Sequence, residues 1–405
     1  MIWLFLLLTT DPAQFQARMS EGVAALDRGD LRAAQASFES ATKLAEDPGA
    51  WMMLAQTLAR QNESVRAREA AGKAEALGSG DTRILQALAN FYTSLVRDPR
   101  KAASVGARYA ARAPADPTAW RNVAGIYLDI GDTAQAIASA RQGLAADKSG
   151  ELHTILGRAL VTRQEWSAAC AAFEASIQLN PYSEEPRFLL AQAYLLRQDF
   201  TRAAAVLQDA RKVFDKSPQI ELALGVANYG QRNFDAAVAQ FLRTIELAPE
   251  VPQAYIFLGR ILEHASARLP EIVELFSRFE NQHPASDLGY TLHAKALMLS
   301  LPPTGFPPEA EQSFRLLEKS LTIREDSAEA HYLMGTLLDR KREFAKAATA
   351  LERSIQVNAK DSAVHFRLAR VYDRLGRPED AKRERALHEK LSEAEGSAPP
   401  PGLSR

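Results

Sequence analysis

Seven histidines and a single cysteine are the side chains of this 405-residue sequence best suited to metal ligation or nucleophilic attack. His153, His331 and His365 fall at one place in a recurring segment, where Trp51, Trp120 and Tyr255 stand in other copies. Ligands to one ion must converge on a point. Equivalent residues of a repeat lie about one repeat apart, so the pattern reads as packing rather than coordination. Cys170 follows Ala169 on an alanine-rich helical segment and reads as a small core residue, not a nucleophile. A lone cysteine forms no internal disulfide, which leaves the redox compartment open. The chain has no G-x-x-x-x-G-K-[ST] phosphate loop, no G-x-G-x-x-G, no G-x-S-x-G and no H-E-x-x-H. The expectation is a protein that is not an enzyme, with no catalytic, cofactor-binding or metal-binding residues.

The recurrence behind those histidines organises the whole chain. "TRQEWSAACAAFEASIQLNPY" (162–182) nearly repeats as "GQRNFDAAVAQFLRTIELAPE" (230–250), 68 residues later. Half that lag is the true period, because a small residue recurs at Gly157, Ala191, Gly225 and Gly259, each 34 after the last. The ladder extends back through Ala124, Ala89, Ala55 and Gly22 and forward through Ala294, Gly335 and Ala369. The step from Ala294 to Gly335 alone is long. It contains "LPPTGFPP" (301–308), whose prolines cannot sit inside a helix and mark a loop inserted between the halves of one repeat.

A second ladder of Ala34, Ala67, Ala136, Ala169, Ala203, Ala237, Ala347 and Ala381 runs about twelve residues behind the first. A third, mostly bulky, follows four residues later at Phe38, Phe173, Leu207, Phe241, Phe276, Leu317 and Leu351. Each repeat therefore holds two amphipathic helices. Turn-compatible pairs join them at Gly29-Asp30, Gly131-Asp132, Gln198-Asp199 and Arg232-Asn233, often followed by an aromatic residue such as Trp166, Phe200, Phe234 or Phe344. Small side chains let two helices approach and large ones fill the contact. One helix pair cannot bury both its faces, so the pairs must stack into a solenoid.

These residues resemble the tetratricopeptide repeat (TPR) family. Its 34-residue helix–turn–helix carries an aromatic near the start, "LG" or "LA" at positions seven and eight, tyrosine three further on, alanine at twenty, an aromatic at twenty-four and proline at thirty-two. Trp120, Val123, Ala124, Tyr127, Gly131, Ala136 and Ile137 match it, as do Pro181 and Pro249. The resemblance covers about eleven repeats over 15–390 and implies an all-α fold, an α-solenoid wound as a right-handed superhelix. The pattern departs most between 284 and 325 and around 83–114, where the second helix can be phased on Ala102 or Ala103.

The ends differ from the array. Residues 1–14 open with "MIWLFLLL", which reads either as a short signal peptide or as an apolar segment packed on the first helix. Export or periplasmic location and a cytoplasmic one both stay open, as does membrane association. In the last helix Arg385 replaces the bulky ladder residue, as a terminal cap should. Residues 391–405, ending in "GSAPPPGLSR" beyond Glu395, have the composition of a disordered tail.

The resemblance implies a non-catalytic scaffold that binds a peptide or protein partner in the concave groove. The alternative is an accessory or regulatory subunit of an enzyme or of an export or envelope assembly. With 49 basic against 50 acidic side chains, interspersed in sign, nucleic acid is not expected as a partner, and a non-catalytic scaffold implies no small-molecule substrate. On each first helix the fourth, seventh, eighth and eleventh positions share one side and the second, fifth, ninth, twelfth and thirteenth the other. The latter, expected to line the groove, comprise Phe188, Gln192, Leu195, Leu222, Val226, Tyr229, Ile256 and Arg260 centrally, flanked by Arg121, Arg158, Asp339, Arg340, Arg370 and Arg374. Chaperone-binding members of the family use a ninth-position asparagine with lysine and arginine to hold a carboxylate. Val23, Gln56, Gly125, Arg158, Gln192, Val226, Arg260, Thr336 and Arg370 include none, so binding of chaperone tails is not expected.

Overall fold

The computed structural model describes residues 11–396, and the apolar run 1–8 lies outside them, as does the end of the tail beyond 396. The described residues form 22 α-helices and no strand. Two compact units divide the chain, Met1–Ala193 and Tyr194–Arg405.

In the first unit the helices are α1 (Pro12–Asp27), α2 (Leu31–Leu44), α3 (Pro48–Arg60), α4 (Ser64–Leu77), α5 (Thr82–Asn90), α6 (Pro99–Arg112), α7 (Pro117–Asp129), α8 (Thr133–Gly143), α9 (Glu151–Thr162) and α10 (Trp166–Leu179). Helix α11 (Glu185–Leu196) runs across the division. The second unit continues with α12 (Phe200–Val213), α13 (Pro218–Gly230), α14 (Phe234–Leu247), α15 (Pro252–Arg260), α16 (Leu269–Gln282), α17 (Asp287–Leu299), α18 (Pro308–Ile323), α19 (Ala328–Arg340), α20 (Phe344–Val357), α21 (Ser362–Arg374) and α22 (Pro378–Gly396). Helix α1 starts three residues before the expected boundary at 15, because the Asp11 carboxylate caps it by accepting from the Ala13 and Gln14 N–H groups. Helix α22 continues to Gly396, so residues 391–396, expected in the tail, are helical. Among the described residues no helix is long and apolar enough to cross a membrane.

Successive helices pack on one another in sequence within each unit, the arrangement of an α-solenoid. Every member of the second ladder, from Ala34 to Ala381, is fully buried, and so is every member of the third, from Phe38 to Leu351. The first ladder meets them directly. A Cβ added at Gly22, Gly157 or Gly225 would stand 2.5, 2.4 or 2.5 Å from the ring of Phe38, Phe173 or Phe241. The rings thus occupy the space that these glycines leave.

The turns between paired helices repeat as closely. Gly29, Gly131, Gln198 and Arg232, the leading residues of the expected turn pairs, all have φ between 59° and 79°. The next residue donates its N–H five residues back, as from Asp132 to Tyr127 O at 2.8 Å and from Asn233 to Asn228 O at 2.9 Å. This is the left-handed C-terminal motif that satisfies orphan helix carbonyls. The carboxylates of Asp30, Asp132 and Asp199 then cap the second helix by accepting from the N–H three residues on, at 3.0, 3.1 and 3.1 Å. Trp166, Phe200, Phe234 and Phe344 each open that helix.

Two places break the pattern. A π-helical turn at Phe91–Leu95 follows α5, and both Ala102 and Ala103 are buried in α6, so the two possible phases mark one contact. In the second unit α15 stops after nine residues and gives way to 3₁₀ turns at Leu262–His264 and Ser266–Arg268. The proline-rich segment is a loop between α17 and α18, with Pro308 at the first turn of α18.

Candidate partner-binding face

The expected groove residues divide between the two units. Phe188 and Gln192 belong to the first, and Leu195, Leu222, Val226, Tyr229, Ile256 and Arg260 to the second. In the first unit Phe188 is partly buried and Gln192 exposed.

In the second unit Leu222, Tyr229 and Ile256 are partly buried and Arg260 is exposed, its guanidinium 5.6 Å from the centre of the Phe257 ring. Leu195 and Val226 are 3% and 8% exposed and are core residues, contrary to expectation. For Val226 the cause is local: from Ala223 to Asn228 every residue of α13 is buried, so this stretch is covered on all sides and has no free face. Tyr229, at its end, escapes that cover and stands beside Phe234, with ring centres 5.9 Å apart. The His264 ring stacks on Phe234 at 3.8 Å.

Two aromatic residues on the same face were missed by confining the set to central repeats. Tyr332 and Phe366 hold the fifth position, three before Gly335 and Ala369, just as Leu222 and Ile256 stand three before Gly225 and Gly259. Tyr332 is partly buried beneath the Arg367 guanidinium, and Phe366 is 47% exposed with Arg370 5.9 Å above its ring. The repeat spacing itself carried the signal.

Most of the flanking charges are engaged within the chain. Arg121 pairs with Glu151, and Arg374 with Asp339, which is itself buried. Arg340 donates to the carbonyls of Gly305 at 2.6 Å and of Pro302, pinning the inserted loop against α19. Arg158 and Arg370 are exposed. The ninth positions also include two absent from the earlier set: Lys295 on α17, which pairs with Glu329, and Asn90, exposed at the end of α5, next to Ala89. The counterparts of Asn90 on α3 and α7 are Gln56 and Gly125, so the basic partners of a carboxylate clamp do not stand at those positions.

The histidines tie their helices to neighbouring segments of the chain. His153 Nδ1 lies 3.0 Å from Asp147 and His331 Nε2 2.7 Å from the Glu325 carbonyl, both in the loops that precede their helices. His365 bridges the Ala359 carbonyl at 3.1 Å and Glu384 of α22 at 2.6 Å. Burial pushes the Asp147 carboxyl upward, yet hydrogen bonds from the His153 and Ser149 side chains and from backbone N–H groups outweigh it and hold the group below the usual carboxylate range. Glu221 stands at the histidine position of α13 with no such support. Burial raises its pKa, and Arg211, 3.9 Å away, offsets this only in part. Cys170 is buried on α10.

The tetratricopeptide repeat pattern matches residues 19–82, 222–278 and 332–382, and a second pattern of the same description matches 160–226, together more than half of the chain. The chain belongs to the tetratricopeptide repeat family. No curated protein matches it in sequence. Among solved structures it is similar to yeast Tom70, with 14% identity over 94% of this chain and 92% of that one at a TM-score of 0.42. It is similar to Naa15/Naa10 bound to HypK, with 15% identity over 93% and 64% and a TM-score of 0.46. A thermophilic TPR protein from Thermus thermophilus shares 21% identity over 44% of this chain and 98% of its own, with a TM-score of 0.38.

Proposed function

We propose that this TPR protein is a non-catalytic scaffold that holds a peptide or protein partner on the fifth-position side of its first helices. The observation that carries the reading is in the second unit. Four first helices present Leu222, Ile256, Tyr332 and Phe366 at one repeat position, none fully buried and the last about half exposed. Large apolar side chains that recur on one face without full cover are the usual mark of a binding surface. Tyr229 adds an aromatic ring with a polar tip, and Arg260 and Arg370 supply charge beside the apolar row. Phe188 and Gln192 play the same part in the first unit. The near-neutral, interspersed charge favours a polypeptide over nucleic acid.

The test is affinity capture from native cells with the wild-type chain and with Tyr229→Ala and Phe366→Ala. Either substitution should weaken capture of a stoichiometric partner by about 30-fold, the equivalent of about 2 kcal/mol at a hot spot, with melting unchanged. Unchanged capture by variants that melt earlier would assign both rings to the core.

A further inference from the structure

The opposite face of the first unit carries a second opening. A cavity of about 480 Å³ lies between the second helices α2 and α4, with Trp51, Leu54 and Leu58 of α3 as its floor. That volume falls in the range of sites that take a ligand or a few anchoring side chains. From α4 the apolar part of the lining is Ala70, between Arg66, Glu69 and Lys73. Trp51 remains partly exposed, whereas Trp120 and Tyr255, at the same repeat position, are sealed to 5% and 2%.

Charge is divided along the cleft. At one end Arg66 closes on Glu39 at 2.7 Å and on Glu63 at 2.5 Å, so these charges offset one another. Farther along, Lys43 on α2 and Lys73 on α4 face the cavity from its two walls, exposed and in no ion pair among the described residues. Glu69, one helical turn before Lys73, is the remaining acid on the rim, and it too forms no ion pair among the described residues. From Lys43 back to Glu39 and from Lys73 back to Arg66 is four and seven residues, roughly 6–10 Å along a helix. The cleft is thus as long as one or two side chains.

We infer that this cleft is a second docking site, for a short acidic polypeptide segment whose leucine or phenylalanine seats on Trp51 while its carboxylates meet Lys43 and Lys73. It is independent of the first-helix face. The apolar floor supplies burial, and the two lysines set the sign of the occupant.

The test uses the full chain and a fluorescein-labelled ten-residue peptide in which Leu-Phe is flanked on both sides by Glu-Glu, together with the same peptide carrying Lys for each Glu. The acidic peptide should bind saturably and at least tenfold more tightly than the basic one. The exposed double substitution K43E/K73E should reverse that preference without changing the melting temperature, and Trp51→Ala should weaken both. No saturable binding, equal binding of the two peptides, or an unchanged preference in K43E/K73E would overturn the inference. Loss of binding in Phe366→Ala with none in K43E/K73E would place the peptide on the first-helix face, overturning this site and leaving the proposed function intact.

Discussion

Gly225 and Gly259 hold the same position in adjacent helix pairs, 34 residues apart, yet different neighbours fill the space above them. Over Gly225 lies the Phe241 ring of α14, its own partner helix, at 2.5 Å from a built Cβ. Over Gly259 lies Leu292 Cδ2, at 2.4 Å, from the following first helix, α17. The bulky ladder residue of α16, Phe276, is fully buried but packs near Tyr255 instead, with ring centres 6.4 Å apart. The shortened α15 and its 3₁₀ turns separate the two cases. A repeat residue therefore fixes that a close approach occurs, while the length of the helix bearing it decides which neighbour makes the approach.

The largest expected effect breaks the comparison directly. Gly225→Ala should cost about 1–3 kcal/mol, because a fully buried ring must shift, and Gly259→Ala clearly less, because the methyl meets the far end of a leucine. Paired substitutions sharpen the point in chemical denaturation. Phe241→Leu should couple to Gly225→Ala, and Leu292→Ala to Gly259→Ala, whereas Phe276→Leu should add independently to Gly259→Ala. Equal costs at the two glycines, or coupling between Gly259 and Phe276, would put both pairs in one packing class.

A smaller effect separates Glu221 on α13 from Tyr255, which holds the same position on α15. The raised carboxyl pKa of Glu221 means that the folded state binds its proton more readily than the unfolded state does. Stability then falls as pH rises from the unfolded value toward the folded one. Glu221→Gln should accordingly melt higher than wild type at pH 7, with the advantage shrinking as pH drops to 4. A constant difference across that range would rule out ionisation as its source.

The smallest effect concerns the turn that leads into α14. Arg232 holds φ 60°, where Gly29 and Gly131 serve elsewhere. Arg232→Gly should stabilise by roughly 0.5–1 kcal/mol, since relief of left-handed strain exceeds the added freedom of the unfolded chain. A lower melting temperature would show that the arginine side chain contributes more than its backbone costs.

Much of the architecture was legible because a 34-residue period is a local property. The ladders from Ala34 to Ala381 and from Phe38 to Leu351 could be read as buried from spacing alone, since each helix must turn one stripe toward its neighbour. The turn pairs were equally legible, as glycine and aspartate suit the left-handed and capping positions they occupy. The candidate face was legible only in its period. Spacing placed Leu222 and Ile256 on one side, though the reading stopped short of Tyr332 and Phe366 at the same position, and it gave Val226 and Leu195 the same exposure, because helical angle says nothing of what lies across from it.

What the sequence determined by itself was the unit: two amphipathic helices, their small-to-large contact and the turn between them, all set by residues within one period. Only the tertiary structure decided where that unit departs from its average. It cut α15 short, sealed residues 223–228 of α13, committed Arg340 to the inserted loop and left the Trp51 cleft open between α2 and α4. Each of these depends on side chains from a different repeat or a distant loop, and the volume left between two helices is a difference of many contacts that no single period contains.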